Sequence, residues 1–368
     1  MDIALNKDFG KVITGLIRGE SLNAEQACNA FWQVLNNDVS EMQQGAFLAA
    51  LTAKGETAEE VAGGWKAIYE LDTTKVSLHG EGPVVDNCGT GMDTYKTFNI
   101  STAASLVAAS GGITVARHGA RGITSSCGTV DIAEAMGVDV ECDVAYVADA
   151  IDKVGVGLFN GMSPKVHPMA LGRILSQIYF GSPLNIAASL ANPALPKMAV
   201  RGVYAKDLIL PVAKVMQSIG YTKATVVYGG IDGSDKGMDE ASVCGTTYGA
   251  RLIDGEISEF TLTPEQCGIQ QHRPDALAAD PDLDQAALKM VELLHGKGDP
   301  ARRDAVLLNS GLLFELTGKA PSIEQGVTMA RECLKDGQPI DVLTRWVAEQ
   351  NRDPDKGVAK LDALIQQV

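Results

Sequence analysis

Little in this sequence invites a metal cage, a membrane or a nucleic-acid partner. Its 368 residues include seven cysteines and five histidines, and no two cysteines form a Cys-x-x-Cys pair. That scatter excludes a zinc ribbon and a disulfide scaffold, leaving reduced, mostly buried thiols. Positive charge is short too: 31 Lys and Arg face 46 Asp and Glu, a net charge of −15. Nucleic-acid binding rests on neutralising phosphates, so no nucleic acid is expected as a partner. Any anionic ligand must instead be held by a local site of backbone amides, metal and a few cations. No apolar run has the length of a membrane span, so no membrane partner is expected. The first ten residues carry Asp2, Lys7 and Asp8, unlike a signal peptide, and the expected location is cytoplasmic. Neither a Walker loop nor a dinucleotide fingerprint occurs.

What is present divides near Gly82. Phe9 to Leu71 reads as helical: Asn23 caps one helix, Ser40 precedes a second, and Thr57-Ala-Glu-Glu60 is a capping box for a third. Beyond Gly82 the texture alternates. Pro83–Asp86 reads as a strand, Thr102–Ser110 as a helix and Ile113–Ala116 as the next strand, a βαβ unit that implies a parallel sheet. Strands are also expected at 157–159, 198–204 and 224–228, with a hairpin turning at Asp254-Gly255. After Pro274 the pattern is helical again. The expected fold class is therefore α/β, with a small all-helical N-terminal domain and a large α/β domain built on a mostly parallel central sheet. The helical domain is assigned to 1–75, with a proline-punctuated return segment near 164–192. The α/β domain takes 82–163 and 193–368.

Three segments carry chemistry. The first delivers a glycine loop, Gly89-Thr90-Gly91, from a strand to the helix entered at Asn99, Ser101 and Thr102, with Asp93 and Thr97 between. Glycines let backbone amides approach an anion, and a helix start adds partial positive charge, although Ser and Thr at such a place also serve as plain caps. The second, Arg117-His118-Gly119-Ala120-Arg121 with Thr124, Ser125 and Thr129, follows the next strand. It should lie on the same sheet edge, where α/β proteins bind ligands. The third is Asp239-Glu240 after a strand ending at Tyr228, adjacent carboxylates that suit Mg²⁺ shared with substrate phosphates.

Taken in order, these motifs resemble the anthranilate phosphoribosyltransferase family, a branch of the nucleoside phosphorylase-like phosphoribosyltransferases. The likeness also includes Ala53-Lys-Gly-Glu-Thr57, His167-Pro168, Asn192-Pro-Ala194, Gly237-Met-Asp-Glu240, Arg303-Asp304 and Leu307-Leu308-Asn309. It implies Mg²⁺-dependent transfer of a phosphoribosyl group from phosphoribosyl pyrophosphate to anthranilate, a step of tryptophan biosynthesis, in a homodimer. By that resemblance Gly89, Thr90, Gly91, Asp93, Thr97, Asn99, Ser101 and Thr102 hold the pyrophosphate end of the donor. Arg117, His118, Gly119, Ser125 and Thr129 complete the donor site. Ser101, Asp239 and Glu240 ligate the metal.

The acceptor side departs from the family pattern. Ala120 stands where the family has an acceptor-contacting asparagine, and Ala188-Ser189-Leu190 replaces Gly-Pro-Leu. Met92 replaces a loop glycine, Arg117 replaces a lysine, and the loop Gly229 to Lys236 is longer than the pattern. The family's acceptor-binding arginine has no counterpart, with Gln177 near its place. Ala120, Arg121, His167 and Arg173 are therefore the candidate acceptor residues, Arg173 as the substitute cation. Alternatives are the same chemistry on another aromatic or heterocyclic acceptor, a pyrimidine nucleoside phosphorylase, and a non-catalytic nucleic-acid binder.

Overall fold

Four helices open the chain: α1 (Ile3–Ile17), α2 (Ala24–Leu35), α3 (Glu41–Lys54) and α4 (Ala58–Leu71). The computed structural model describes residues 3–122 and 127–368. The Asn23 cap and the Thr57 capping box both form: Asn23 Oδ1 accepts from the Gln26 amide at 2.9 Å, and Thr57 Oγ1 accepts from the Glu60 amide at 3.2 Å. Glu60 does more than close the box. Buried, it accepts from the Leu22 amide and from Lys54, each at 2.9 Å, and so ties three helices together. Phe31 meets Phe47 edge-on at 5.1 Å in the bundle core, where each fully buried apolar side chain contributes about 1.5–3 kcal/mol.

Strands and helices then alternate as β1 (Val84–Gly89), α5 (Ile100–Ser110), β2 (Thr114–Gly119), α6 (Thr129–Ala135), α7 (Val144–Val154) and β3 (Val156–Asn160). Two short helices follow, α8 (Leu171–Ile178) and α9 (Pro183–Ser189), before β4 (Met198–Gly202), α10 (Ile209–Ser218), β5 (Lys223–Gly230), β6 (Gly237–Met238), β7 (Thr247–Ile253) and β8 (Glu256–Leu262). Five helices finish the chain: α11 (Leu283–Leu294), α12 (Pro300–Leu316), α13 (Ile323–Lys335), α14 (Gln338–Glu349) and α15 (Pro354–Ile365). The short pair α8 and α9 returns to the bundle: α9 packs on α4, and Trp65 Nε1 donates to the Leu190 carbonyl at 2.9 Å.

The sheet runs β3-β2-β1-β4-β5-β7-β8, with β6 beside β5; the first five strands are parallel and the last pairings antiparallel. Strand alternation gives the sheet two buried faces. Val85, Val200 and Val227 face a core shared with α5 and α11–α14, while Ala199, Ala224 and Val226 face one shared with α4, α10 and the bundle. Chain order reverses between β1 and β4. A crevice opens at the carboxyl ends of strands at such a reversal, because the following connections leave in opposite directions. Gly89 and Gly202, paired in register, stand at that spot.

Two expectations shift. Strand β2 continues to Gly119, so Arg117 and His118 lie within it and not in the loop beyond. The hydroxyl-rich segment after the strand falls partly outside the described residues, which removes Thr124 and Ser125 from any structural account.

Candidate active site

The glycine loop sits between two strand ends. Thr90 donates its amide to the Gly202 carbonyl at 3.0 Å, and its hydroxyl accepts from the Tyr204 amide at 3.2 Å. Gly91 donates to Asp239 Oδ2 at 2.7 Å, which brings the acidic pair onto the loop across 148 residues of sequence. The approach is close enough to demand glycine twice. A Cβ on Gly89 would lie 1.9 Å from Asp239 Oδ2, and one on Gly202 only 1.4 Å from the Asp239 carbonyl oxygen. Met92 adopts φ 67°, a left-handed conformation that costs a residue with a Cβ about 1–2 kcal/mol.

Around Asp239 the carboxylates crowd. Glu240 is buried, and Thr97 Oγ1 donates to it at 3.4 Å; Asp93 pairs with Lys96 at 2.9 Å. Burial, and then the Asp239 charge, raise Asp93 to about 6 and push Glu240 well above the usual carboxylate range. Asn309 fixes the backbone just past the pair, accepting from the Ala241 amide at 2.9 Å and donating to its carbonyl at 3.0 Å. Among the described residues no three Asp, Glu, His or Cys side chains form a metal cage of their own. Crowded carboxylates with one lysine between them nevertheless match what Mg²⁺ takes from a protein, one or two carboxylates, with phosphates and water completing the shell.

The start of α5 is organised by Arg117. Its guanidinium, 1% exposed, donates to the Asn87 carbonyl at 2.9 Å, Thr102 Oγ1 at 2.6 Å, Ser101 Oγ at 3.0 Å and Thr129 Oγ1 at 3.3 Å. The expectation of an arginine presented at the strand ends is corrected. Arg117 works from below, orienting hydroxyls on two helix starts. Asn99 does not cap α5; its amide group donates to the Cys127 carbonyl at 3.3 Å. The first amides of α5 therefore lack acceptors within the helix and gain none from this side chain, the usual condition of an anion site.

Two halves of known proteins match this chain. The "Glycosyl transferase family, helical bundle domain" covers residues 11–71 and the "Glycosyl transferase family, a/b domain" covers 81–340. The anthranilate phosphoribosyltransferase of Deinococcus radiodurans is 35% identical over 92% of this chain and 97% of its own. The chain belongs to the anthranilate phosphoribosyltransferase family. Among solved structures, the Thermus thermophilus enzyme superposes with a TM-score of 0.83 at 31% identity, covering 92% of this chain and 98% of its own. A Saccharomyces cerevisiae enzyme, solved in complex with PRPP and Mg, shares the fold at TM-score 0.82 and 21% identity, covering 95% and 98%.

The residues expected to meet the acceptor lie beside this site. His118 sits at the end of β2 with its Nδ1 3.3 Å from the Ser189 carbonyl and its Nε2 3.2 Å from His167 Nε2. His167 in turn places Nδ1 2.6 Å from the Asp72 carbonyl, linking β2 to the end of α4. Burial, with the neighbouring His167, depresses His118 to about 3, so the imidazole is neutral at physiological pH. Gly119 accepts from the Gly161 amide at 2.8 Å, and Ala120 accepts from the Val130 amide at 3.3 Å.

Both arginines expected on the acceptor side are engaged with other groups. Arg173 donates to Gln44 Oε1 at 2.9 Å and to the Val34 carbonyl at 3.0 Å, fastening α8 to α2 and α3. Arg121 is ringed by Asp131, Glu134 and Glu141 at 2.7–3.2 Å. Sequence reading gives no role to Gly202, and none to Asn309 beyond its place in the Leu307–Asn309 motif. A glycine closing a strand, and an amide side chain inside an apolar helix run, were the available signals.

Proposed function

We infer that this protein transfers the 5-phosphoribosyl group of phosphoribosyl pyrophosphate to anthranilate, giving N-(5-phosphoribosyl)anthranilate and pyrophosphate with Mg²⁺ as cofactor. The observation that carries this is the docking of Asp239-Glu240 onto the Gly89–Gly91 loop beside the amides of α5, at the reversal point of the sheet. Full-length similarity to enzymes named for that reaction supports it, as does the yeast relative solved with PRPP and Mg.

Leaving of pyrophosphate builds negative charge on the departing group and positive charge on the ribose. Bound Mg²⁺ would be held by Asp239, Glu240 and Ser101 and would supply charge to the leaving group. The chain's own part is preorganisation: the first amides of α5, which have no acceptor within the helix, face the place the pyrophosphate would take, and Arg117 holds Ser101, Thr102 and Thr129 in place. Gly89, Thr90, Gly91, Asp93, Thr97 and Asn99 surround the same anion, with His118 and Gly119 at its acceptor edge. An aromatic amine needs orientation more than deprotonation. Residues 1–75 with 164–192 would form one wall of the cleft and the rest of the chain the other. A homodimer in the cytoplasm is the expected working form.

Ala120, with the short segment from His167 to Pro193, favours a second reading, the same transfer to a different aromatic or heterocyclic acceptor. Purified protein with Mg²⁺, phosphoribosyl pyrophosphate and anthranilate should consume the anthranilate fluorescence. The Asp239→Ala/Glu240→Ala double variant should lose at least about 10³-fold in turnover while remaining folded. Absence of turnover in the parent protein, with donor binding intact by calorimetry, would move the assignment to the second reading.

A further inference from the structure

Arg201 is a polar group that nothing above accounts for. It lies on β4 between Cys88 of β1 and Val226 of β5, one residue before the Gly202 that touches Asp239. Its side chain shares the sheet face of Ala199 and Val226, the face turned toward α9 and the bundle. It is 1% exposed, yet among the described residues Nε and Nη1 have no hydrogen-bond partner. Nη2 donates to Ser189 Oγ, and the Ser189 carbonyl is the one that faces His118.

Asp86, on the neighbouring strand, feels the Arg201 charge but does not fill these donors: it turns to the Asn192 side chain and the His118 amide, and among the described residues its Oδ1 has no hydrogen-bond partner. A guanidinium is a rigid five-donor fork that cannot shed its charge, so two buried donors are costly to leave empty unless something occupies them. The acceptor side, meanwhile, needs a cation: anthranilate brings a carboxylate, and Arg173 and Arg121 are both committed elsewhere.

We propose that Arg201, reached through Ser189, is the specificity-determining residue that binds the carboxylate of the aromatic amine acceptor. The carboxylate joins or displaces the Ser189 hydroxyl and takes the fork's unfilled donors, entering from the β4–α9 side of the cleft and not from α8. Serine at 189 then has a reason to be there, since its hydroxyl holds the guanidinium when no acceptor is bound. The inference rests on the transferase reading above and specifies its acceptor.

The test compares anthranilate with 2-aminobenzamide, which keeps ring and amine but lacks the carboxylate charge. The parent protein should prefer anthranilate by about 10- to 100-fold in kcat/KM, the range of one charge-assisted hydrogen-bonded pair. Arg201→Met should raise the KM for anthranilate about tenfold or more and abolish the preference, with KM for phosphoribosyl pyrophosphate within about twofold. Arg201→Lys should restore part of the preference, because charge remains while the fork is lost. Ser189→Asp offers the guanidinium a built-in carboxylate and should raise the anthranilate KM by a similar factor, which covers the case of a misfolded Arg201→Met. Unchanged preference in folded Arg201→Met, or unchanged KM in Ser189→Asp, overturns the proposal. If the parent binds phosphoribosyl pyrophosphate but turns over no anthranilate, the transferase reading for this acceptor fails first and the inference falls with it.

Discussion

On the donor side of the cleft polar groups are answered by one another; on the acceptor side several are left waiting. Arg117 gives its donors to four oxygens, Gly91 meets Asp239, and Asn309 closes the loop behind Glu240. Across β1 and β4, Arg201 and Asp86 each keep atoms without partners. A pyrophosphate is recognised largely by backbone, which glycine spacing and helix placement fix in advance. A small aromatic acid is recognised by a few side chains, and those can arrive from different elements. The first kind of site constrains the chain at many positions. The second leaves the choice of element open.

The sharpest way to break the comparison is to disturb the point where the two sides touch. Gly202→Ala would put a methyl group 1.4 Å from the Asp239 carbonyl, so β4 or the acidic loop must move. Displacement by about 1 Å of catalytic groups can cost roughly 10²-fold in rate, and overpacking about 1–3 kcal/mol in stability. Turnover should therefore fall by at least about 100-fold, with a lower urea midpoint, and magnesium-dependent donor binding should weaken with it. Near-normal kcat in this variant would mean that the acidic loop is not held in register by β4.

Arg117→Met sharpens the donor half. It strands Ser101, Thr102 and Thr129 hydroxyls and the Asn87 carbonyl, all reached by one buried guanidinium. The expected loss is about 3–5 kcal/mol of unfolding free energy. Denaturant titration measures it. A loss below about 1 kcal/mol would show that water replaces the arginine, and with it that the donor side is less self-contained than its hydrogen bonds indicate.

The same contrast explains what was legible before any coordinates. The caps at Asn23 and Thr57 and the hairpin at Asp254-Gly255 follow from local rules, and they form as the rules require. The donor loop was legible because glycine, hydroxyl and acid each have few other reasons to occupy that order. Gly202 was not, since its need arises from a contact with Asp239, 37 positions away and invisible to spacing. Arg173 misled because a long cation near the expected place says nothing about which way it points; Gln44 and the Val34 carbonyl claim it. The strand's apolar pattern stops at Ala116, which puts Arg117 and His118 in a loop by sequence alone, whereas the ladder with β3 continues through Gly119.

The mildest expected effect tests whether the acceptor side is electrostatically unfinished. Burial raises Asp86 to about 6 against the pull of Arg201 and, more weakly, Arg117. Its folded value thus lies above its unfolded one, so the native state holds this proton more tightly. That contribution favours folding below about pH 4 and is lost as pH rises through about 6, with roughly 3 kcal/mol as its ceiling. His118 has the opposite sign: depressed to about 3, it contributes fully above pH 6.5 and progressively less as pH falls toward 3. The two therefore offset each other in the parent between about pH 4 and 6. Asp86→Asn removes one of them. Relative to the parent, the variant should gain stability steadily from pH 4 to pH 7, by about 1–3 kcal/mol across that range. A pH-independent difference would place Asp86 and Arg201 in a settled ion pair, and the guanidinium would then have no donors to spare for a substrate carboxylate.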